Sequence, residues 1–393
     1  MDGAISQGRQ AGRRLRVVVN GVHAKSGGGV TYLRNILPKL SERDDLELHL
    51  FLHEDQYQLF YPMPDRVQVT LFKYREGFLP SVLWEQICLP IATWGMGADV
   101  VFSPANYGPL FARNHVILLR NATSVIQLTN RLRPMVYWLL LSAATLASLV
   151  TARKAVAVSK YAESILTFRL KWLFQRKLHV VYHGAKWPED PLEDPPEDLP
   201  RNMSTNLLAV SDIYIQKNYH TLLKSISILR EKYPDVRLTI VGAEIDTWYA
   251  HELRSMIQDL EISDNVFFVG HVDPDRLQKL YAECGIFVFP SIVETFGNPL
   301  LEAMAAGAAI ASSNSAAMPE VIGDAGLLFQ PHDAAEMAEK IGLLIEDRQL
   351  RIDLGKKAKV RSRLFDLSKT AEQTLSVLDA AAGTVLPVRR TVV

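Results

Sequence analysis

Cysteine is scarce in this sequence, and neither sign of charge is in excess. Cys88 and Cys284 are the only cysteines in 393 residues. They are too few and too far apart for a disulfide framework or a CxxC metal motif, and this usage predicts a reducing compartment, the cytoplasm. Lysine plus arginine equals aspartate plus glutamate, at 43 each. No overall field therefore favours nucleic acid or an acidic partner.

Long hydrophobic runs are also missing. The first residues, MDGAISQGRQAGRRLRVVVNG, contain arginines but no apolar core or small-residue cleavage site, so we expect no export. The most apolar stretch, YWLLLSAATLASLVTA at 137–152, is shorter than the roughly 20 residues that span a bilayer. It is also rich in alanine and serine. We therefore predict a buried helix there rather than a membrane segment.

Several common catalytic signatures are absent as well. No HExxH spacing supports zinc, and no G-x-S-x-G sequence supports an acyl-transfer nucleophile. The sequence DPD at 273–275 resembles a DxD metal motif, but Asp followed by Pro is typical of a helix start. We therefore predict that Asp273 is an N-cap and that the chain has no metal site.

What is present is a regular alternation of short apolar runs and longer helical segments, which predicts parallel sheets built from βαβ units. The first series of predicted strands is LRVVVNG at 15, LELHLFLH at 46, DVVFS at 99, HVILL at 115, KAVAVS at 153 and KLHVVYHG at 177. The second series is NLLAVSD at 206, RLTIVGA at 237, NVFFVG at 265, IFVFPS at 286 and AAIASS at 308.

A proline-rich acidic segment separates the two series. KWPEDPLEDPPEDLPRNMS at 186–204 contains five prolines, which no strand or helix interior tolerates. We predict two doubly wound α/β domains facing each other across a cleft. The predicted divisions are a tail (1–14), an N-terminal domain (15–185), the linker (186–204), a C-terminal domain (205–382) whose last helix crosses back to the first, and a second tail (383–393).

Two acidic side chains lie in the apolar stretch FPSIVETFGNPLLEAMAAGAAI at 289–310. Glu294 falls in the loop after a predicted buried strand, and Glu302 falls near the first turn of the next helix. We predict that this helix has Asn298 as N-cap, Pro299 at its first position and a left-handed Gly307 at its end.

The backbone of Phe296, Gly297 and Asn298 would then offer N–H groups to phosphate oxygens at that helix start. Carboxylates on both sides of a phosphate cradle suit a ligand with diols flanking a diphosphate. A nucleotide sugar is such a ligand.

The stretch ETFGNPLLEAMAAG resembles the E-x7-E signature of the retaining glycosyltransferases of family 4, the glycosyl transferases group 1. NVFFVGHVDPDRLQKLYAECGIFVFPS and SAAMPEVIGDAGLLFQPHD are similar to the family in order and spacing. The detailed likeness covers about 205–333. Looser likeness extends to GGGVTYLRNILP, AVSKYAESIL and VVYHGA. The resemblance implies the GT-B fold, two Rossmann-like domains with a nucleotide-sugar donor site.

The resemblance also implies roles for individual residues. Glu294 would bond the donor sugar's hydroxyls, and Glu302 would hold the ribose diol of the nucleotide. The amides of 296–298 would meet the sugar and phosphates. Lys217, in SDIYIQKNYHTLL, would neutralise the diphosphate, and the glycine loop containing Gly28 and Gly29 would face the diphosphate and the acceptor.

The sequence departs from the family pattern at two places. Asp212 stands where the family commonly has an arginine that binds the diphosphate, and we hypothesise that Arg120 substitutes for it. Asn121 lies where many relatives have a histidine near the reacting sugar. An asparagine can hydrogen-bond a sugar but cannot shuttle a proton. This fits a retaining mechanism in which the leaving phosphate takes the acceptor's proton.

These patterns predict a metal-independent hexosyltransferase that acts on a mannose- or glucose-type donor, such as GDP-mannose or a UDP-hexose. The predicted acceptor is a hydroxyl of a glycan or lipid-linked molecule in polysaccharide or lipopolysaccharide synthesis, bound by loops such as SPANYGPLF at 103–111. Base recognition is expected around 268–271. The basic segment RLKWLFQRKLH at 169–179 has two interpretations, a solvated helix flank before a buried strand or a peripheral contact with the cytoplasmic face of a membrane. The alternative is a non-catalytic nucleotide-sugar-binding or scaffold protein, which Asp212 and Asn121 keep open.

Overall fold

The computed structural model describes residues 13–25, 27–75, 78–121, 132–185 and 204–383. The chain divides into two compact units, each with its own sheet. The first unit comprises the described residues up to 121, those of 132–184 and those from 367 onward, and the second those of 185–366. The predicted tails and the proline-rich linker lie almost entirely outside the described residues.

Seven parallel strands form the sheet of the first unit, in the order β3-β2-β1-β4-β5-β6-β7. The strands are β1 (Leu15–Asn20), β2 (Leu46–His53), β3 (Val67–Phe72), β4 (Val100–Ser103), β5 (His115–Leu119), β6 (Lys154–Ala157) and β7 (Leu178–Val180). Every residue of β4 and β5 is buried. Such continuous burial is typical of central parallel strands that helices cover on both faces.

Helices connect these strands. They are α1 (Gly27–Ser41), α2 (Phe78–Leu83), α3 (Leu89–Gly95), α4 (Leu132–Thr151), α5 (Lys160–Leu166) and α6 (Lys171–Phe174), with a π-helical turn at Trp84–Cys88 between α2 and α3. In α1 the residues Leu33, Ile36, Leu37 and Leu40 recur at helical spacing and are fully buried. Burial of one such side chain stabilises the fold by about 1.5–3 kcal/mol.

The second unit has a six-stranded parallel sheet in the order β10-β9-β8-β11-β12-β13. Its strands are β8 (Asn206–Val210), β9 (Arg237–Val241), β10 (Val266–Gly270), β11 (Ile286–Phe289), β12 (Ala309–Ser313) and β13 (Leu327–Phe329). Its helices are α7 (Tyr219–Lys232), α8 (Thr247–Asp259), α9 (Pro274–Glu283), α10 (Asn298–Ala305), α11 (Met318–Ile322), α12 (Ala334–Glu346) and α13 (Arg348–Ser362).

The last helix returns to the first unit. α14 (Leu367–Ala382) packs against α1 and against β4, β5 and β6. Thr370 donates a hydrogen bond of 2.8 Å to the carbonyl oxygen of Tyr182, which follows β7. Asp379, which is 3% exposed, accepts a hydrogen bond of 2.9 Å from Arg43. The sheet of the first unit is thus covered by the last described helix of the chain.

All the strands predicted from the sequence are present, and two further strands, β3 and β13, were missed. β3 is an edge strand whose Leu71 is 46% exposed, so its sequence VQVTLF has no buried run. β13 has only three residues. Both are too weakly patterned for hydrophobic periodicity to reveal them.

The helix predicted at 137–152 is present as part of α4, but the prediction that it is buried is wrong. α4 buries Leu141, Thr145, Ser148 and Leu149 on one side, while Leu139 is 54% and Val150 is 61% exposed. Two of its buried residues are polar and several exposed ones are apolar, which composition alone could not foresee. Among the described residues, no helix has the length and apolar character needed to cross a membrane.

Candidate active site

An ion pair lies at the carboxyl ends of two neighbouring strands of the second unit. The Nζ atom of Lys217 contacts Oε1 of Glu294. Lys217 ends a 3-10 turn that follows β8, and Glu294 lies in the loop that follows β11. The side chains are 15% and 19% exposed, so both charges can still reach solvent and a ligand. The structure therefore brings together two of the residues predicted for the site.

Asn218 fixes the loops that carry this pair. It is fully buried and adopts a left-handed conformation, with φ of 60°. Its Nδ2 atom donates to the carbonyl oxygens of Pro290 (2.9 Å) and Pro331 (2.5 Å). Asparagine tolerates the left-handed region better than most residues. One side chain thus ties together the loops that follow β8, β11 and β13.

The start of α10 lies immediately after Glu294 in the chain. The prediction of Asn298 as N-cap is wrong, because Gly297 occupies that position with φ of 95° and Asn298 is the first helical residue. A Cβ atom at residue 297 would lie 3.2 Å from Cε1 of Phe289. Both the backbone angle and the close ring favour glycine. Gly307, as predicted, is left-handed, with φ of 72°.

Phe296 does not present its side chain to solvent. Its ring is 3% exposed and packs edge-on against Phe365, with ring centroids 5.5 Å apart. The aromatic contact anchors the segment that precedes α10. The ring of Phe296 therefore offers no aromatic face to a ligand, and ligand contact with the backbone of 296–298 stays a prediction.

Glu302 lies one turn into α10 and has a different partner from Glu294. The hydroxyl of Tyr281 donates a hydrogen bond of 2.8 Å to Oε2 of Glu302. Burial raises the pKa of Glu302 above its ordinary value, and the bond from Tyr281 opposes that shift. The carboxylate is therefore held in one orientation and desolvated. Tyr281, at the end of the apolar face of α9, was not singled out in the sequence because its spacing is that of a core residue.

Asp212 is engaged with the backbone. Its Oδ1 atom accepts a hydrogen bond of 2.9 Å from the N–H of Ala243, and Ile213 donates to the carbonyl oxygen of Ala243 (2.8 Å). Gly242, which directly follows β9, has no room for a side chain, because a Cβ atom there would lie 2.0 Å from the carbonyl oxygen of Ser211. Asp212 therefore joins the loop after β8 to the loop after β9.

In the first unit, Arg120 lies against the predicted glycine loop. Its Nε atom donates a hydrogen bond of 2.8 Å to the carbonyl oxygen of Pro104. A Cβ atom on Gly29 would lie 2.5 Å from Nη2 of Arg120, whereas one on Gly28 would lie 4.0 Å from Nη1. Gly27–Gly29 form the first turn of α1 rather than a loop, which corrects the prediction. Glycine at residue 29 makes room for the guanidinium.

Asn121 is clamped through its backbone. The Oδ1 atom of Asn106 accepts hydrogen bonds from the N–H groups of Arg120 (2.8 Å) and Asn121 (2.9 Å), and its Nδ2 atom donates to the carbonyl oxygen of Asn121 (2.7 Å). Asn106 is fully buried. Both Arg120 and Asn121 are thereby fixed at the carboxyl end of β5.

The residues considered for metal binding behave as capping groups. Asp273 accepts a hydrogen bond of 2.8 Å from the N–H of Arg276, with Pro274 at the first helical position, as predicted. Within the described ranges, no group of three or more His, Cys, Asp or Glu side chains could hold a metal ion.

The model of a known family, Glycosyl transferases group 1, matches residues 193–361. This part of the chain is therefore similar to the glycosyl transferases group 1. The resemblance found in the sequence is thereby confirmed, and the matched residues carry Lys217, Glu294 and Glu302. The match covers less than half of the chain.

Individual relatives agree with this family. The chain is 32% identical over 180 residues to a D-inositol 3-phosphate glycosyltransferase of Pseudarthrobacter chlorophenolicus, covering 45% of this chain and 43% of that one. It is 30% identical over 165 residues to the O-antigen chain mannosyltransferase B of Escherichia coli, covering 41% and 42%. The alignments thus span less than half the length of these relatives.

The similarity of the fold extends further than that of the sequence. HepE of Anabaena, solved in complex with UDP-glucose, superposes with a TM-score of 0.71 at 18% identity, over 93% of this chain and 99% of that one. The fold class is that of the GT-B glycosyltransferases, with two Rossmann-like parallel-sheet units, as the sequence predicted.

Proposed function

We propose that this chain is a retaining glycosyltransferase that moves a mannose- or glucose-type hexose from a nucleoside-diphosphate sugar to a hydroxyl of a glycan or lipid-linked acceptor, in polysaccharide or lipopolysaccharide synthesis. The observation that carries the proposal is the Lys217–Glu294 pair beside the start of α10. Two similar proteins support it, since one relative is an O-antigen chain mannosyltransferase and one fold neighbour was solved in complex with UDP-glucose.

Donor binding would redistribute the charges of this pair. The ammonium of Lys217 would turn to the diphosphate, and the N–H groups at the start of α10, around Gly297 and Asn298, would bind its oxygens. Glu294, released from Lys217, would accept hydrogen bonds from the hydroxyls of the sugar. Charge-assisted hydrogen bonds of this kind each contribute about 1.5–3 kcal/mol.

Glu302 would hold the ribose of the nucleotide. Tyr281 donates to Oε2, which leaves Oε1 to accept from the ribose diol. In the first unit, Arg120 would serve as a further cation for the diphosphate at the start of α1, where Gly28 and Gly29 allow the backbone to come close to a ligand. The side chain of Asn121 would hydrogen-bond the donor sugar.

In the proposed reaction, the acceptor oxygen forms a bond to the anomeric carbon on the face from which the diphosphate leaves. The bond between that carbon and the phosphate oxygen breaks, and the acceptor's proton passes to the departing phosphate oxygen. The protein positions the two substrates and stabilises the charge that develops on the diphosphate. Lys217 and the start of α10 would take the place of a metal ion, so a chelator should leave the rate unchanged.

The test is thermal unfolding of the protein with UDP, GDP and ADP sugars, combined with release of free nucleotide over time. A donor at 100 times its dissociation constant should stabilise the protein by about 2.7 kcal/mol. Lys217→Ala and Glu302→Ala should lose this stabilisation, whereas Glu231→Ala, an exposed glutamate of α7, should retain it. An unchanged response in Glu302→Ala would contradict the assignment.

The alternative is a non-catalytic nucleotide-sugar-binding protein. Asp212 supports it, because its carboxylate stands where the family commonly has a phosphate-binding arginine. Stabilisation by a donor without release of nucleotide, even with glycan and lipid-linked acceptors added, would favour this alternative.

We also propose that the first unit contacts a membrane surface through the segment 169–179. Arg169, Lys171 and Arg176 are exposed there, beside Trp172 (63% exposed) and Leu173 (54%). Exposed aromatic and basic side chains together favour anionic lipid headgroups.

Lys177 does not belong to this membrane surface, although it is part of the same basic segment. Its Nζ donates hydrogen bonds to the carbonyl oxygens of Leu149, Val150 and Ala152 at the end of α4.

A further inference from the structure

A buried carboxylate in the first unit has no role in the site described above. Glu85 is fully buried within the π-helical turn between α2 and α3, while Leu83 and Ile87 on the same segment are 59% and 54% exposed. This inverts the usual arrangement, in which a helix buries its apolar residues and exposes its charges. π-Helical turns are rare and occur frequently at functional sites.

Glu85 holds two residues at the carboxyl end of β1. Its Oε1 atom accepts hydrogen bonds from Nδ2 of Asn20 (2.7 Å) and from Nε2 of His23 (2.8 Å). A carboxylate can only accept, so the proton of the neutral imidazole lies on Nε2 and the lone pair on Nδ1. Glu85 thereby fixes the tautomer of His23.

The other ring nitrogen of His23, Nδ1, has a weak hydrogen-bond partner. Nδ1 lies 3.3 Å from the hydroxyl oxygen of Tyr107, a distance longer than that of a good hydrogen bond from a hydroxyl. Tyr107 belongs to the loop 103–111, which the sequence assigned to the acceptor. The side chain of His23 is 17% exposed, so a ligand can approach it from solvent.

Two buried acceptor atoms of the same cluster lack donors. In the part of the chain that the structure describes, neither Oε2 of Glu85 nor Oδ1 of Asn20 has a hydrogen-bond partner. Buried polar atoms of native proteins are normally paired, and exceptions call for an explanation. Both atoms are closed off from solvent, so a small donor such as a water molecule would satisfy them.

We propose that His23 and Glu85 form a subsite of the first unit that binds a hydroxyl group of the glycosyl acceptor. His23 Nδ1 accepts a hydrogen bond from that hydroxyl in place of Tyr107, and Glu85 is the positioning residue that holds His23 in the required tautomer. The inference rests on the proposed glycosyltransferase function, and it adds the residues that recognise a hydroxyl group of the acceptor.

The first test measures transfer to two competing acceptors, water and methyl α-D-mannopyranoside or methyl α-D-glucopyranoside. In His23→Gln and Glu85→Gln, transfer to the glycoside at subsaturating concentration should fall at least tenfold, while donor hydrolysis stays within about twofold of the unsubstituted protein. The loss of transfer should come from a higher KM for the glycoside, and kcat for donor hydrolysis should not change.

A matched control is available in the same unit. His49 of β2 is also buried and also pairs with a glutamate, Glu47, at 3.0 Å from its Nε2 atom. His49→Gln should leave both reactions unchanged. Equal transfer to the glycoside in His23→Gln and in the unsubstituted protein would overturn the subsite, as would a parallel loss of both reactions.

The second test does not depend on turnover. Long-range nitrogen–proton NMR of protein labelled in histidine should show His23 protonated at Nε2, and this preference should weaken in Glu85→Gln. Methyl α-D-mannopyranoside should shift the Nδ1 signal of His23 and leave that of His49 in place. No shift with either glycoside contradicts the subsite, whereas absence of donor hydrolysis in the unsubstituted protein contradicts the proposed function alone.

Discussion

At the scale of single residues, Asp212 combines a structural contact with an unfavourable charge. Its Oδ1 atom accepts from Ala243, a bond that an asparagine oxygen can also make. We expect Asp212→Asn to keep the loop and to bind the donor more tightly, because a negative charge near the diphosphate is removed. Unit charges about 6 Å apart in water interact by about 0.7 kcal/mol, so the dissociation constant should fall roughly threefold. Titration calorimetry with the donor measures this change in affinity. Asp212→Ala also loses the hydrogen bond to Ala243, so it should be less stable than both the unsubstituted protein and Asp212→Asn.

We expect Glu302 to lower the stability of the ligand-free protein and to increase its affinity for the donor. Because burial raises its pKa, the ionised form destabilises the fold, and its contribution to stability falls as the pH rises above the ordinary value. We expect Glu302→Gln to raise the melting temperature of the ligand-free protein at neutral pH. Donor affinity should fall in the same variant. A lower melting temperature without ligand would contradict this account.

His115 predicts how the first unit responds to acid. It is 2% exposed, and burial lowers its pKa to about 4 from 6.5. In the unfolded chain His115 binds a proton below its ordinary pKa of 6.5, whereas in the folded protein it stays neutral down to about pH 4. The contribution of His115 to the free energy of unfolding is therefore fully present above about pH 6.5 and is lost as the pH falls toward 4.

Between about pH 7 and pH 5 this loss should reach about 2 kcal/mol. Urea unfolding at both pH values measures it, and the difference in stability between the unsubstituted protein and His115→Gln should shrink by that amount. His251→Gln, at an exposed position of α8, should show the full pH dependence of the unsubstituted protein.

At the scale of elements, the segment around α6 predicts lipid dependence. Replacing Arg169, Lys171 and Arg176 by glutamine should lower the affinity for anionic vesicles, measured by flotation, roughly 100-fold. Each basic residue near the surface contributes about 1 kcal/mol. Neutral vesicles should bind both proteins poorly. Replacing three exposed basic residues of α13, Arg348, Lys356 and Lys357, gives a variant of equal charge that should float normally. Equal flotation of the two triple variants would exclude 169–179 as the contact.

Elements also differ in how far the sequence could predict them. Strands such as β4 and β11 are buried throughout, so their continuous apolar runs were decisive, and Asp273 followed by proline predicted the start of α9. β13 is too short to carry a pattern. The exposure of α4 depends on which of its faces meets the sheet, and apolar content alone does not contain that information.

In the candidate site, too, the sequence predicted some features and missed others. Local sequence placed Glu294, Glu302 and the glycine-containing start of α10 close together, because they lie within one short segment. Lys217 and Glu294 lie 77 positions apart, so the prediction that both belong to the site required the family resemblance, and their ion pair was not predicted. The clamp by Asn106 and the cluster of Glu85 with His23 join separate loops, and neither has a local signature.

At the scale of the whole molecule, α14 makes the first unit depend on the end of the chain. Its buried residues include Leu375, Val377 and Leu378, and Asp379 pairs with Arg43. Ending the chain after Asp366 should therefore expose one side of the first sheet. Hydrogen exchange should show lost protection in β4, β5 and β6 and retained protection in β8, β9 and β11. Equal protection of the first sheet in both proteins would show that α14 is dispensable.

The return of α14 also sets an order for biosynthesis. A chain emerging from the ribosome presents the seven strands of the first sheet before any strand of the second, and domains commonly fold in the order of their synthesis. Here the second unit is complete once residue 366 has emerged, whereas the first still lacks the helix that covers its sheet. Of the two units, the one whose strands are translated first is thus the one whose covering helix, α14, is translated after the other unit is complete.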